Sequence, residues 1–190
     1  MKRLHLVTGV AALGAMLAGT RQARADFELG GDFDVALPIL QSTRLNYLAT
    51  GAGFDIRVGW RFRIPYQPLW ITPELAAGYT DLSANVVRVR PGLRIAFGNF
   101  VIPYAYAHLG FGWTSYDPLG VNDHVVTASY VASPGYAVDA GAGVDFAVLR
   151  RLTVGAHLGY NMVGVGEVST AEPAFHASWI NVGLNAAFHF

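Results

Sequence analysis

The segment "WINVGLNAAFHF", Trp179 to Phe190, sets Ile180, Val182, Leu184, Ala186, Phe188 and Phe190 at every second position, with Asn181, Gly183, Asn185 and His189 between them. A period of two belongs to a β-strand, whose side chains alternate between faces. Here one face is wholly apolar, and the row runs to the last residue. Soluble domains usually finish in frayed polar residues. An apolar row carried to the final position asks for apolar surroundings.

The same alternation recurs upstream. Phe27, Leu29, Phe33, Val35 and Leu37 oppose Glu28, Gly30, Asp32 and Asp34, and Phe54, Ile56, Val58, Trp60, Phe62 and Ile64 oppose Asp55, Arg57, Gly59, Arg61 and Arg63. Eight strands are expected in all, over 27–37, 54–64, 70–80, 86–97, 101–113, 136–148, 152–162 and 178–190. Tight links at 65–68, 98–100 and 149–151 alternate with longer ones at 39–50, 114–134 and 163–177, the five-residue link 81–85 being an exception. Such alternation fits turns on opposite sides of a bilayer, with both chain ends on the short-turn side.

One face of the strands is apolar. The other carries the charges and glycines 30, 59, 78, 92, 110, 112, 141, 143, 155, 159 and 183. A soluble lipocalin-like barrel would turn the apolar face inward. The strand lengths match a tilted membrane strand, and aromatic residues gather near the strand ends. Tyr79, Trp113, Tyr136 and Tyr160 lie toward the long links, and Phe62, Phe97, Phe146, Phe188 and Phe190 toward the short ones. These form two interfacial girdles. In hydrocarbon an open sheet edge leaves amides unpaired at several kcal/mol each, so the sheet must close. The fold class expected is all-β, a closed eight-stranded antiparallel up-and-down transmembrane β-barrel. Pro73 and Pro103 fit strand starts near short turns, whereas Pro91 falls inside a strand and is expected to mark a bulge.

Residues 1–25 read as a secretory signal peptide. Lys2 and Arg3 precede an apolar run from Leu6 to Ala18, and Ala23-Arg24-Ala25 offers a small-x-small cleavage site. The remaining 26–190 would form one barrel domain with thirteen acids, nine arginines and no lysine. That balance lacks the basic footprint of a nucleic-acid binder. The absence of cysteine excludes disulfides, thiolate metal sites and c-type haem attachment.

Over 26–190 the chain resembles the small eight-stranded outer-membrane barrels of Gram-negative bacteria, broadly the opacity-protein and OmpX-like group. The terminal strand carries the resemblance. Ile180, Val182, Leu184, Phe188 and Phe190, with Ala186, match the phenylalanine-ended signal that the barrel-assembly machinery reads in that group. The resemblance implies a multi-pass protein of the bacterial outer membrane, in contact with outer-membrane lipid and lipopolysaccharide. It also implies periplasmic short turns and C-terminus and extracellular longer loops; a non-enzymatic barrel of this kind is expected to need no cofactor or metal.

On the polar face Arg57, Arg61, Arg63, Arg88, Arg90 and Arg94 stand against Glu28, Asp32, Asp34, Asp55, Glu74, Asp139 and Asp145. An eight-stranded interior is just wide enough for side chains to fill. These groups are therefore expected to form a structural ion network in the lumen, because buried charges must be paired. The alternative is a narrow channel for ions or small solutes.

His176 and Ser178 faintly resemble the His-x-Ser arrangement of the outer-membrane lipid A deacylases, where histidine activates serine. No acid follows Ser178 to orient the histidine, so a lipid hydrolase remains a minor alternative to a non-enzymatic barrel. Tyr104, Tyr106 and His108 share one face and His157 and Asn161 another. Satisfied internal hydrogen bonds suit them better than a metal, since a strand separates the two groups. His189 is expected to face inward as a structural residue. The longest loop, 114–135, is the natural place for contact with another envelope or surface protein. The main reading is thus an integral outer-membrane barrel with a structural, anchoring or surface-contact role.

Overall fold

The computed structural model describes residues 25–41, 49–82, 84–116, 135–165 and 175–190. Nearly all of the signal segment, and the 114–135 loop over 117–134, lie outside the described residues. Among the described residues there are eight strands: β1 (Ala25–Gln41), β2 (Gly51–Arg63), β3 (Leu69–Asp81), β4 (Ala84–Phe97), β5 (Val101–Tyr116), β6 (Gly135–Leu149), β7 (Leu152–Val165) and β8 (Phe175–His189). Each expected strand is found, and each runs one to four residues further toward its long connection. Pairing there continues past the apolar belt, where the alternation that marks a strand in sequence is no longer required.

Every strand pairs antiparallel with its sequence neighbours, and β8 closes the barrel on β1. Closure runs from Glu28 opposite His189 to Gln41 opposite Ala177, and the Phe190 N–H donates to the Phe27 carbonyl at 2.9 Å. No edge of the sheet is left to find partners in lipid.

Burial settles which face looks inward. Along β2 the inward Asp55 and Arg57 are buried while the outward Phe54, Ile56 and Trp60 are exposed. Leu184 is 68% exposed and Phe33 62%. Leaving such a side chain in water forgoes about 1.5–3 kcal/mol of burial energy, and here the apolar row circles the wall. The apolar face meets lipid, and the lipocalin-like inversion is excluded.

Pro91 does not mark a bulge. It stands opposite Leu75 in unbroken β3–β4 register, and the β4–β5 ladder keeps one register from Val89 opposite Phe111 to Gly92 opposite His108. The missing N–H costs the positions between these pairs and shifts nothing. Pro73 behaves alike, interrupting β2–β3 between Gly59 opposite Glu74 and Phe62 opposite Ile71. The register shifts lie instead at Pro38/Leu40 on the closing seam and at Ala147/Leu149 beside a tight turn.

At the short-turn end the backbone is tightly tied. Gly98 adopts φ 119°, which glycine adopts without strain, and its N–H donates to the Pro68 carbonyl at 2.7 Å. Its own carbonyl accepts the Trp70 indole N–H at 3.1 Å, so the two tight turns hold each other.

Candidate functional site in the barrel lumen

The centre of the lumen is a cross-strand ion network. Arg57 on β2 grips Asp32 on β1 with two bonds, Nε to Oδ2 at 2.6 Å and Nη2 to Oδ1 at 3.0 Å, and its Nη1 lies 3.5 Å from Glu74 and 3.6 Å from Glu28. Arg90 bridges Asp139 at 2.7 Å and Asp55, while Arg88 reaches Asp55 at 3.3 Å and Thr80 at 2.8 Å. Asn161 accepts from both Arg88 and Arg90. Arg94 lies 3.3 Å from Glu74 and 3.9 Å from Asp145. Bidentate guanidinium geometry suits this crowding, because one planar fork serves several strands.

The six arginines divide into a buried four and two at the short-turn end. All seven expected carboxylates are buried, together with Arg57, Arg88, Arg90 and Arg94. Arg61 and Arg63 stand at the short-turn rim instead, with their guanidinium carbons 4.0 and 5.3 Å from the Trp70 ring centre. Arg61 Nη1 lies 3.4 Å from His189 Nε2, and histidines join the acids further in. His108 lies 2.8 Å from Glu74 through Nε2 and 2.9 Å from Asp139 through Nδ1. His157 Nε2 lies 2.8 Å from Asp34, and His189 Nδ1 lies 3.5 Å from Glu28. Sequence parity had placed these histidines inside, but not against particular acids.

Glycines make the network fit. A methyl group at Gly183 would collide with the Asp34 carboxylate, and one at Gly78 with that of Asp55. Tyr106 likewise reaches across β6 above Gly141, so that its ring centre lies 5.3 Å from His108 on its own strand and 6.3 Å from His157 on β7. The two separated groups of residues are therefore brought into contact. Among the described residues no cluster of acids, histidines or cysteines has the arrangement of a metal site.

Apolar layers bound the network at both ends. Toward the long connections, Ala36, Leu82, Ala84, Val86, Ala137, Val163, Ala177 and Trp179 form one buried cluster. Trp179 is fully buried, its ring centre 5.0 Å from the Arg88 guanidinium carbon. Toward the short turns Ala96, Ile102 and Tyr104 pack with Trp70 and Tyr106. The sequence placed Tyr104 and Tyr106 inside but indicated no layer at either end. A signal was present, since Val86 and Trp179 have the inward parity of Arg88 and Asn181. The cavity left within the network is about 20 Å³, lined by Asp34, Arg57, Arg90, Tyr106, His157 and Asn181 among others. That is room for about one water molecule.

The His176/Ser178 pair is not assembled. The His176 ring meets the Tyr136 hydroxyl at 3.1 Å and is exposed, whereas Ser178 is buried and its Oγ has no hydrogen-bond partner among the described residues. A nucleophile needs its base within reach, so this site offers no such chemistry. In the terminal row Val182, Leu184, Phe188 and Phe190 are outward and exposed, and Ile180 is half-buried. Phe190 packs on Phe27 at 5.7 Å and on Phe188 at 4.9 Å between ring centres.

No family model and no curated relative matches the chain in sequence. Solved structures do match in fold. Neisserial surface protein A aligns over 88% of this chain and 99% of its own, with TM-score 0.59 and 18% identity. The N-terminal β-barrel domain of Pseudomonas aeruginosa OprF aligns over 89% and 100%, with TM-score 0.55 and 13% identity. The chain thus has the fold of the small eight-stranded outer-membrane barrels of Gram-negative bacteria. It is a multi-pass barrel whose short turns lie on the periplasmic side.

Proposed function

We propose that the protein is a non-conducting, non-enzymatic barrel of the outer membrane that anchors its long loops at the cell surface for contact with another envelope or surface component. The observation that carries this reading is the filled lumen. Among the described residues, four buried arginines and seven buried carboxylates occupy the centre, with an apolar cluster toward each end. Wider barrels leave an aqueous channel, whereas eight strands leave space for side chains alone. A wall this rigid is suited to holding loops in place, and the 114–135 loop is the longest it carries.

Planar-bilayer recording of the folded barrel tests the claim. No step conductance is expected at either polarity, before or after neutralising Arg57, Arg61, Arg88 or Arg90 one at a time. A reproducible open level that these substitutions alter would establish the channel reading instead. Replacing residues 118–132 by a two-residue Asn-Gly turn is expected to leave barrel yield unchanged while removing the surface contact.

A further inference from the structure

We infer that the outer wall formed by β6, β7, β8, β1 and β2 holds one anionic phospholipid of the periplasmic leaflet, its acyl chain in an oblique groove and its phosphate on Arg150 and Arg151. The groove follows two adjacent outward rows. Ile56, Gly31, Ala186, Val154 and Phe146 form one row, each facing the next across a strand pair. Phe54, Phe33, Leu184 and Ala156 form the other. Gly31, Ala156 and Ala186 are small and set the floor, and Phe33, Phe54 and Phe146 stand along it. The groove measures about 680 Å³.

Its place in the wall selects the occupant. The groove is part of the apolar belt, so what fills it is hydrocarbon. Phe54 lies three residues from the long-connection end of β2, and Phe146 three residues from the tight-turn end of β6. The groove therefore rises obliquely from the tight-turn side of the belt, as an acyl chain anchored on that side can.

Its lower end points to the headgroup. The turn joining β6 to β7 carries Arg150 and Arg151, both exposed, directly beyond Phe146 and Val154. At ~3.3 Å rise per residue, three residues of strand separate Phe146 from the turn by about 10 Å, a span that a glycerol ester bridges. The turn is fixed, because the Arg151 carbonyl accepts the His189 N–H at 2.8 Å. Two guanidinium forks there offer a phosphate charge-assisted, multidentate hydrogen bonds.

Native mass spectrometry of the detergent-solubilised full barrel, with phosphatidylglycerol or phosphatidylcholine added, tests the inference. Wild type is expected to keep one phosphatidylglycerol, in preference to phosphatidylcholine by roughly fivefold or more. Arg150→Gln with Arg151→Gln should bring that ratio close to one without emptying the groove. Gly31→Leu should deplete both lipids, since a Cβ there meets nothing nearer than 3.8 Å and the side chain fills the floor. The heat-dependent gel shift of a folded barrel confirms that each variant is native. Equal retention of the two lipids by wild type overturns the proposal, as does undiminished lipid on Gly31→Leu. A dimer that Gly31→Leu dissolves would overturn it in favour of a second copy of the chain.

Discussion

The carboxylate of Asp34 on β1 lies over Gly183 on β8, the residue directly opposite it across the closing seam, and is held there by Asn181 Nδ2 at 2.9 Å and His157 Nε2 at 2.8 Å. Three strands thus meet on one acid at the point where the barrel closes. A Cβ at position 183 would also fall 2.6 Å from the Phe33 carbonyl and 2.9 Å from His157 Cε1, so backbone as well as side chains must give way. Gly183→Ala is expected to destabilise the barrel by roughly 1–3 kcal/mol, the range for overpacking. Urea unfolding in micelles, followed by tryptophan emission, measures it. Gly31→Ala supplies the contrast on the lipid face and should change stability little.

The network makes a different demand, that its charges be removed together or not at all. Arg90→Met would leave Asp55 and Asp139 buried without their shared cation. Breaking a buried pair from one side costs about 3–5 kcal/mol. His108→Phe should behave in the same way, because both ring nitrogens face carboxylates. Arg63→Ala at the exposed rim should stay within about 0.5 kcal/mol of wild type. Equal losses for Arg90→Met and Arg63→Ala would contradict a network confined to the four buried arginines.

Trp179 separates sealing from filling. It is fully buried above Arg88, so Trp179→Ala should cost roughly 3–5 kcal/mol through the cavity it leaves. The arginines and acids beneath it remain, so no conductance is expected to appear. Bilayer recording alongside the unfolding curve distinguishes the two effects. A variant that folds and conducts would make Trp179 a gate.

How far the sequence reaches follows from what alternation encodes. The outward row is legible because lipid demands apolar residues at every second position, and the eight strands and their inward parity come with it. Alternation says nothing about distance across the lumen. Arg61 and Arg57 share a parity, yet Trp70 draws Arg61 to the rim while Arg57 reaches three acids. Trp179 was hidden for the same reason, since an inward apolar residue looks like an error in a polar row until Val86 and Val163 are seen beside it. Pro91 misled because a missing N–H suggests a bulge, whereas the barrel tolerates a local gap in one ladder while the other holds register.

Phe190 joins the apolar row to the closing seam. Its N–H bonds the Phe27 carbonyl, and its ring packs on Phe27 and Phe188, with Trp60 on the far side of Phe27 at 5.8 Å. These contacts sit at the end of the seam, where fraying is cheapest. Removing residue 190 should therefore cost the finished barrel only about 1 kcal/mol, the worth of one hydrogen bond and an exposed ring contact. If the outward row Ile180 to Phe190 is also what the assembly machinery engages, the loss in cells must be far larger than this. The expected outcome is a truncated chain that refolds in micelles almost as well as wild type yet falls several-fold in outer-membrane fractions. Matching levels in the membrane would confine Phe190 to its seam contacts. Failure to refold in micelles would show that the ring closes the barrel by itself.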